Sequence, residues 1–320
     1  MRLRDMYELA VQKGIDADPR GRAAVQRLLD KTRKKYEELK GDDKDEFDVE
    51  QLTNPYSDSR ISFGDDDTEV NRVLVGVDID VSEILLAKEL ERQGTKIDLI
   101  LSHHPAGKAR VRFEDVMKVQ ADIMAQLGIP INVAEGILGE RIKEVGRHLM
   151  PANHFRVVDA ARLLNMPLMS IHTPADNNAH QFVQKHLDAK SPETLEDIVA
   201  VLKEIPEYKQ AAKLGIGPKI LVGSKEARAG KIVVMMTGGT GGPTEDIAEM
   251  VKAGVGTVVE MHLSDEKKKE AEKHHLNVII AGHMASDSVG MNAILDEFEK
   301  RGVEILPCSG IIRVSRATVC

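Results

Sequence analysis

Cysteine is nearly absent from this chain of 320 residues, which has only Cys308 and Cys320. The two do not form a CxxC pair, and this excludes both a four-thiolate zinc site and a disulfide framework. Any bound metal ion must therefore be held by imidazole and carboxylate groups. The 11 histidines thus become the residues whose positions matter most.

Aromatic residues and excess positive charge are also scarce. The chain has no tryptophan, four tyrosines and six phenylalanines, so it offers few side chains on which nucleic-acid bases can stack. Its 44 basic and 52 acidic residues give a formal net charge of −8, whereas nucleic-acid affinity depends on positive charge. These features disfavour nucleic acid as the main partner, although they leave a local basic patch open.

Long apolar runs are missing as well. No stretch approaches the roughly 18 consecutive apolar residues of a membrane span, and the first residues, MRLRDMYELAVQKG, contain no apolar run typical of a secretory signal. These absences predict a cytoplasmic protein that does not associate with membranes.

Short apolar runs alternate with helical patterns from residue 72 onward. Continuous runs of this length are typical of strands buried on both faces. They occur at 73–79, 97–104, 131–135, 167–172, 231–237, 257–262 and 277–283. The alternation predicts an α/β fold with mainly parallel, mixed sheets flanked by helices.

Changes in composition along the sequence also predict domain boundaries. Residues 1–70 are rich in charge and turns and are predicted to form a helical N-terminal extension and linker. We place a first α/β lobe at 71–188, a polar helical connection at 189–215 and a second α/β lobe at 216–320.

Histidines and carboxylates cluster where the apolar runs end, which is where ligands bind in open α/β sheets. The residues at these ends are His103 and His104, His172 and Asp176, Glu260 and His262, and His283 and Asp287. Imidazole and carboxylate together suit Zn, Fe, Mn, Co or Ni, and a carboxylate can bridge two such ions. Their recurrence at four strand ends predicts a metal site.

Each of these residues also has a structural interpretation. A pair of adjacent histidines is often a surface feature or part of a satisfied core, and an aspartate after a strand is commonly a helix N-cap, as Asp176 or Asp287 would be. Glu260 and His262 are candidates for orienting a ligand or accepting a proton, against the alternative of a surface acid at a strand end. Asp78, which closes the first run, is either a similar orienting group or a helix cap.

A glycine-rich segment follows the 231–237 run and precedes a predicted helix. Backbone amides at such a junction can bind an anion, so Gly238, Gly239 and Gly241 are candidates for binding a phosphate or cofactor. The segment lacks the GK[ST] ending of a Walker A loop. The alternative is a tight turn that permits close packing.

Several motifs resemble those of one known family. IDLILSHHP, SIHTPAD and AGHMASDSVGMNAILDEF, together with VLVGVDIDVSEI and VVMMTGGTGG, are similar in order and spacing to the motifs of the type 2 GTP cyclohydrolase I-like proteins. That family is also called NGG-interacting-factor-three-like. The resemblance covers roughly residues 70–316.

The resemblance implies two related α/β lobes, a toroidal homohexamer and a centre of two divalent metal ions. It assigns as ligands His103, His104, Asp176, His283 and Asp287. Asp287 stands where the family motif has Glu, which shortens a bridging arm by one methylene group.

The sequence therefore favours a metal-dependent hydrolase, in which a metal-activated water attacks a small molecule such as a nucleotide. The alternative is a metal-binding scaffold or metallochaperone that binds a metabolite or a protein partner without chemistry. A base near the metal-bound water, with Glu260 or His262 as candidates, would favour catalysis.

Overall fold

The computed structural model describes residues 1–317, so Cys320 and the end of the predicted second lobe lie outside the described part of the chain. The strands are β1 (Arg60–Phe63), β2 (Arg72–Gly76), β3 (Leu99–Ser102), β4 (Leu168–Ser170), β5 (Lys219–Val222), β6 (Lys231–Met235), β7 (Val255–Glu260), β8 (Asn277–Ile280) and β9 (Glu304–Pro307). They form two mixed sheets flanked by helices, which confirms the predicted fold class.

The helices lie between and around these strands. They are α1 (Leu3–Ala17), α2 (Arg22–Glu38), α3 (Asp42–Asp45), α4 (Val81–Arg92), α5 (Lys108–Val111), α6 (Lys118–Gln126), α7 (Ile131–Leu149), α8 (Arg156–Leu163), α9 (Thr173–Lys190), α10 (Leu195–Leu202), α11 (Pro206–Lys213), α12 (Asp246–Lys252), α13 (Asp265–Lys273) and α14 (His283–Glu299). Short 3₁₀ segments span Val49–Leu52 and Phe113–Met117. None of the helices within residues 1–317 has an apolar stretch that could cross a membrane.

The two sheets share the topology of four strands, and the first sheet has β9 in addition. In the first sheet the order is β1-β4-β3-β2-β9, with β1 antiparallel to β4 and the other neighbours parallel. In the second the order is β5-β8-β7-β6, with β5 antiparallel to β8. Each sheet therefore has an antiparallel edge strand beside the last of three consecutive parallel strands, and a long helix follows that last strand. The lobes are thus related by a repeated chain path.

The long helices α9 and α14 pack against each other. Gly290 of α14 lies against the backbone of Ala175 in α9, where a Cβ atom would come within 2.1 Å of the Ala175 carbonyl oxygen. Glycine permits this close approach because it has no side chain. The crossing brings the first turns of both helices, and the residues they carry, to one place.

The first lobe draws on both ends of the described chain, which differs from the predicted boundaries. Strand β1 lies within the segment predicted as a linker, and β9 joins the first sheet although it follows the second lobe. Helix α1 packs its apolar residues into the core of the first lobe, among them Leu3, Met6 and Ala10. These pairings are made between segments far apart in sequence, and a local pattern does not reveal them.

The predicted strand at 131–135 is wrong, because these residues begin helix α7. Its buried residues Ala134, Leu138 and Val145 are four and seven residues apart, which is helical spacing. The short apolar run at its start fits either structure, and only the longer periodicity distinguishes them.

Candidate metal centre

Side chains from both lobes meet at the carboxyl ends of the parallel strands. His103 and His104 follow β3, and their backbone amides donate to the carbonyl oxygens of Gly76, the last residue of β2, and Val77. The first turns of α9 and α14 supply the remaining members. The cluster consists of His103, His104, His172, Asp176, His283 and Asp287.

Asp287 lies at the centre of the cluster. Its Oδ1 atom is 3.5 Å from His103 Nε2, while its Oδ2 atom is 3.8 Å from His104 Nε2 and 3.5 Å from His283 Nε2. Asp176 Oδ1 is 3.4 Å from His103 Nε2 on the first side. The two oxygens of one carboxylate thus face two different groups of ligand atoms.

The imidazole rings are held by hydrogen bonds on their far side. The Nδ1 atom of His103 lies 3.1 Å from the Ile171 carbonyl oxygen. The Nδ1 atom of His104 lies 2.7 Å from Asp78 Oδ1. A ring that donates its Nδ1 proton to an oxygen keeps the Nε2 lone pair for a metal. Asp78 thus contacts a candidate ligand, and the cap of α4 is Asp80 instead.

The cluster contains buried polar atoms that lack hydrogen-bond partners within residues 1–317. They are His103 Nε2, Asp176 Oδ1 and both carboxylate oxygens of Asp287. Leaving such atoms unsatisfied costs about 1–3 kcal/mol each, and more for charged groups. Divalent cations on the two sides of Asp287 would satisfy all of them, and histidine with aspartate is a suitable donor set for such ions. The residues therefore fit a metal ion.

The cluster also shifts the pKa values of its members. Burial lowers the pKa of His103, but the nearby carboxylates of Asp287 and Asp176 outweigh it and raise that pKa well above its usual value. Burial, with His103 and His172 nearby, lowers the pKa of His104 to about 4. A metal ion would thus compete with a proton on His103 but not on His104 near neutral pH.

The structure brings together all five residues predicted as metal ligands, and their binding of metal stays a prediction. Helix α14 begins at His283, so His283 and Asp287 are one turn apart on the helix. His172 is a further member that the sequence placed at a strand end without assigning it as a ligand.

Glu260 and His262 lie beside this cluster. The His262 ring packs edge-on against His283, with 4.9 Å between the centroids. Glu260 Oε1 is 3.6 Å from Lys267 Nζ, which also donates to Asp246 Oδ2 at 3.0 Å. These three charged residues are buried. They line a cavity of about 60 Å³ that also reaches His262 and Asp287.

Lys267 is a residue that sequence reasoning missed. It lies in the charged helix α13, DEKKKEAEK, which is typical of an exposed surface. The available signal was its spacing of four residues from Ala271, since the two form the buried face of the helix.

The glycine segment packs against the first lobe. Gly238 and Gly239 have φ angles of 91° and 81°, and a Cβ on Gly238 would lie 2.6 Å from Gln120 Cγ. Gln120 Nε2 donates to the Gly238 and Thr240 carbonyl oxygens at 2.8 and 2.6 Å. Close packing thus accounts for Gly238 and Gly239, whereas anion binding there and at Gly241 stays a prediction.

A second and larger cavity opens beside His104. Its volume is about 550 Å³. Its lining includes the basic residues Arg110, His154 and Arg156 and the acidic residues Asp78 and Asp80. The cavity is large enough for a small molecule to approach His104 from solvent.

Fold and cluster together define a class of protein: two repeated α/β lobes with a metal-type His/Asp cluster at the ends of their parallel strands. No family model and no curated protein matches the chain. The crystal structure of a NIF3 superfamily protein from Sphaerobacter thermophilus is 29% identical, covers 79% of this chain and 91% of that chain, and superposes with a TM-score of 0.69.

Two further solved structures are similar at lower levels. Reduced HcgD from Methanocaldococcus jannaschii is 16% identical over 77% of this chain and 87% of that one, with a TM-score of 0.49. A Bacillus cereus protein related to NIF3 is 11% identical over 78% of this chain and 90% of that one, with a TM-score of 0.42. The Sphaerobacter match confirms the predicted resemblance to NIF3-like, that is, NGG-interacting-factor-three-like, proteins.

Proposed function

We propose that this chain is a dinuclear metal-dependent hydrolase acting on a nucleotide or a related small molecule. The observation that carries the proposal is the position of Asp287, whose two buried oxygens face separate imidazole groups and have no hydrogen-bond partner within residues 1–317. A carboxylate in this position is suited to bridging two cations.

The cluster offers two cation positions. His103, Asp176 and Asp287 Oδ1 would hold an ion at the first position, and His104, His283 and Asp287 Oδ2 would hold one at the second. Zn, Fe, Mn, Co and Ni all suit these donors. When bound, such ions make water acidic enough to supply hydroxide as a nucleophile near neutral pH.

The chain's own residues would bind the substrate and manage protons. The cavity beside His104 admits a small molecule, and its Arg110 and His154 side chains suit an anionic group. Burial lowers the pKa of His262, with His283 adding to the effect, and this favours the neutral ring, which is the form that can accept a hydrogen bond. His262 is therefore the candidate proton acceptor that the structure favours.

One observation favours the alternative, a metal-binding scaffold or metallochaperone. Glu260, the other predicted proton acceptor, is buried beside Lys267 and is therefore partly neutralised. With Glu260 held beside Lys267, His262 is the remaining candidate base, and this weakens the case for chemistry relative to holding a metal or a metabolite. The toroidal homohexamer and the cytoplasmic location stay predictions.

Metal analysis and activity assays separate these outcomes. The wild type, Asp287→Ala and a control, Asp188→Ala on the exposed face of α9, would each be loaded with one divalent metal at a time. We expect two ions in the wild type and the control and fewer in Asp287→Ala, because both positions use that carboxylate.

Turnover would then be tested on nucleotides, phosphoesters and cyclic amides. Hydrolysis by the wild type that Asp287→Ala abolishes would support the hydrolase, and bound metal without turnover of any class would support the scaffold. Unchanged metal content in Asp287→Ala would refute the proposed site.

A further inference from the structure

Each lobe carries a histidine and an aspartate four residues apart at the start of its long helix. In the first lobe they are His172 and Asp176, after β4, and in the second they are His283 and Asp287, after β8. Strands β4 and β8 occupy the same place in their sheets, next to the antiparallel edge strand. The repeated chain path therefore makes His172 the counterpart of His283.

His172 lies beside His103, which is assigned to the first cation position. Its ring centroid is 4.7 Å from that of His103, and His103, His104 and His172 each offer a ligand atom within 4.8 Å of the others. His172 is therefore part of the same cluster as the residues assigned to that position.

The N-terminal segment fixes the orientation of this ring. Asp58 Oδ2 lies 2.8 Å from His172 Nδ1 and accepts from the Thr173 hydroxyl at 2.6 Å, and Ser59 Oγ accepts from the His172 backbone amide at 3.0 Å. Asp58 is fully buried. When Nδ1 donates its proton to Asp58, the lone pair on Nε2 stays free, which is the arrangement that a metal ligand needs.

We propose that His172 is a ligand of the ion held by His103 and Asp176, and that Asp58 is the positioning residue that orients it. The inference rests on the proposed metal-binding function and adds a fourth donor to the first position. The purely structural alternative is that the Asp58–His172 pair only fastens the N-terminal segment to the first lobe.

Cobalt titration tests the proposal, since the visible absorption of Co²⁺ responds to the number of its ligands. The variants are His172→Ala, His172→Gln, His172→Gly, Asp58→Asn and the control His180→Ala, which removes another histidine of α9. Thermal unfolding of the metal-free proteins would show which variants fold. If His172→Ala does not fold, His172→Gln takes its place in the titration.

We expect the wild type and His180→Ala to bind two cobalt ions with the same spectrum. The His172 variants should lose one ion or change the spectrum of the first. Asp58→Asn should bind that ion about ten- to a hundredfold more weakly, as is typical when a group that orients a ligand is altered. Imidazole added to His172→Gly should restore part of the wild-type spectrum.

The outcomes that would overturn the proposal are distinct. If the wild type binds two ions and the folded His172 variants bind both with unchanged affinity and spectrum, His172 is structural and only this inference fails. A loss of stability in the metal-free variants with no change in cobalt binding would likewise make His172 a structural residue. If the wild type binds no metal, the proposed function fails as well.

Discussion

Replacing Gly290 with alanine would perturb the contact on which the whole site depends. The added Cβ would lie 2.1 Å from the Ala175 carbonyl oxygen and 2.7 Å from its carbonyl carbon. Both atoms belong to the backbone of α9, so no side-chain rotation relieves the overlap. The two helices would have to separate by about 1 Å to restore ordinary contact distances.

The expected magnitude is the difference between two opposing effects. Overpacking of this kind costs about 1–3 kcal/mol. Alanine is better than glycine in a helix by about 1 kcal/mol. Because the clash is with backbone, we expect the cost to lie at the upper end and the net loss of unfolding free energy to be about 1–2 kcal/mol.

The control is Gly136→Ala in α7, where a Cβ would have no atom within 4 Å. That variant should be more stable than the wild type by about 0.5–1 kcal/mol. Urea unfolding followed by circular dichroism measures both, since the chain has no tryptophan for fluorescence. Gly290→Ala should also bind metal more weakly, because its two helices carry Asp176 and Asp287. Equal stability of the two variants would refute the reasoning.

Two further predictions concern buried charges. Burial, with Glu260 nearby, raises the pKa of Asp246 from 3.8 to about 6. Between these two pH values the folded protein therefore binds more protons than the unfolded chain. The folded state loses stability as the pH rises through this range, by at most about 3 kcal/mol. Asp246→Asn should remove this loss. The urea midpoints of the variant and the wild type would be compared at pH 4 and pH 7, and an equal difference at the two pH values would contradict the prediction. Arg60 is buried and pairs with Asp48 at 3.0 Å. Asp48 would keep Lys108 as a partner, but Arg60 also donates to the Tyr56 and Ser59 carbonyl oxygens. Arg60→Met should therefore cost roughly 3 kcal/mol in urea unfolding by removing this buried pair and its hydrogen bonds, and a wild-type midpoint would contradict that.

Much of the candidate site could be predicted because its residues lie at strand ends. His103, Asp176 and Asp287 each follow a short apolar run, and the carboxyl ends of parallel strands meet at one edge of a sheet. The order of the runs thus places each of these residues at the end of a strand, and the packing of α9 against α14 then brings the residues of the two lobes together. The same reasoning predicted both sheets apart from β9 and the antiparallel edge strands β1 and β5.

The groups behind the site could not be predicted, because packing alone brings them there. Asp58 is 114 residues away from His172 in the sequence and lies in a segment that has the composition of a linker. Lys267 is one of several lysines in its helix, and only its burial separates it from the others. Pairings of this kind depend on tertiary structure, which local sequence patterns do not encode.

The place of β9 in the first sheet has a consequence for how the protein is made. Residues 304–307 pair with β2, so during synthesis the first sheet cannot be completed until the second lobe has left the ribosome. Domains generally fold as units as they emerge, but here the earlier lobe must wait for the later one. We therefore expect the two lobes to unfold together in one transition, and a fragment cut near residue 215 to leave both the first sheet and the metal cluster incomplete.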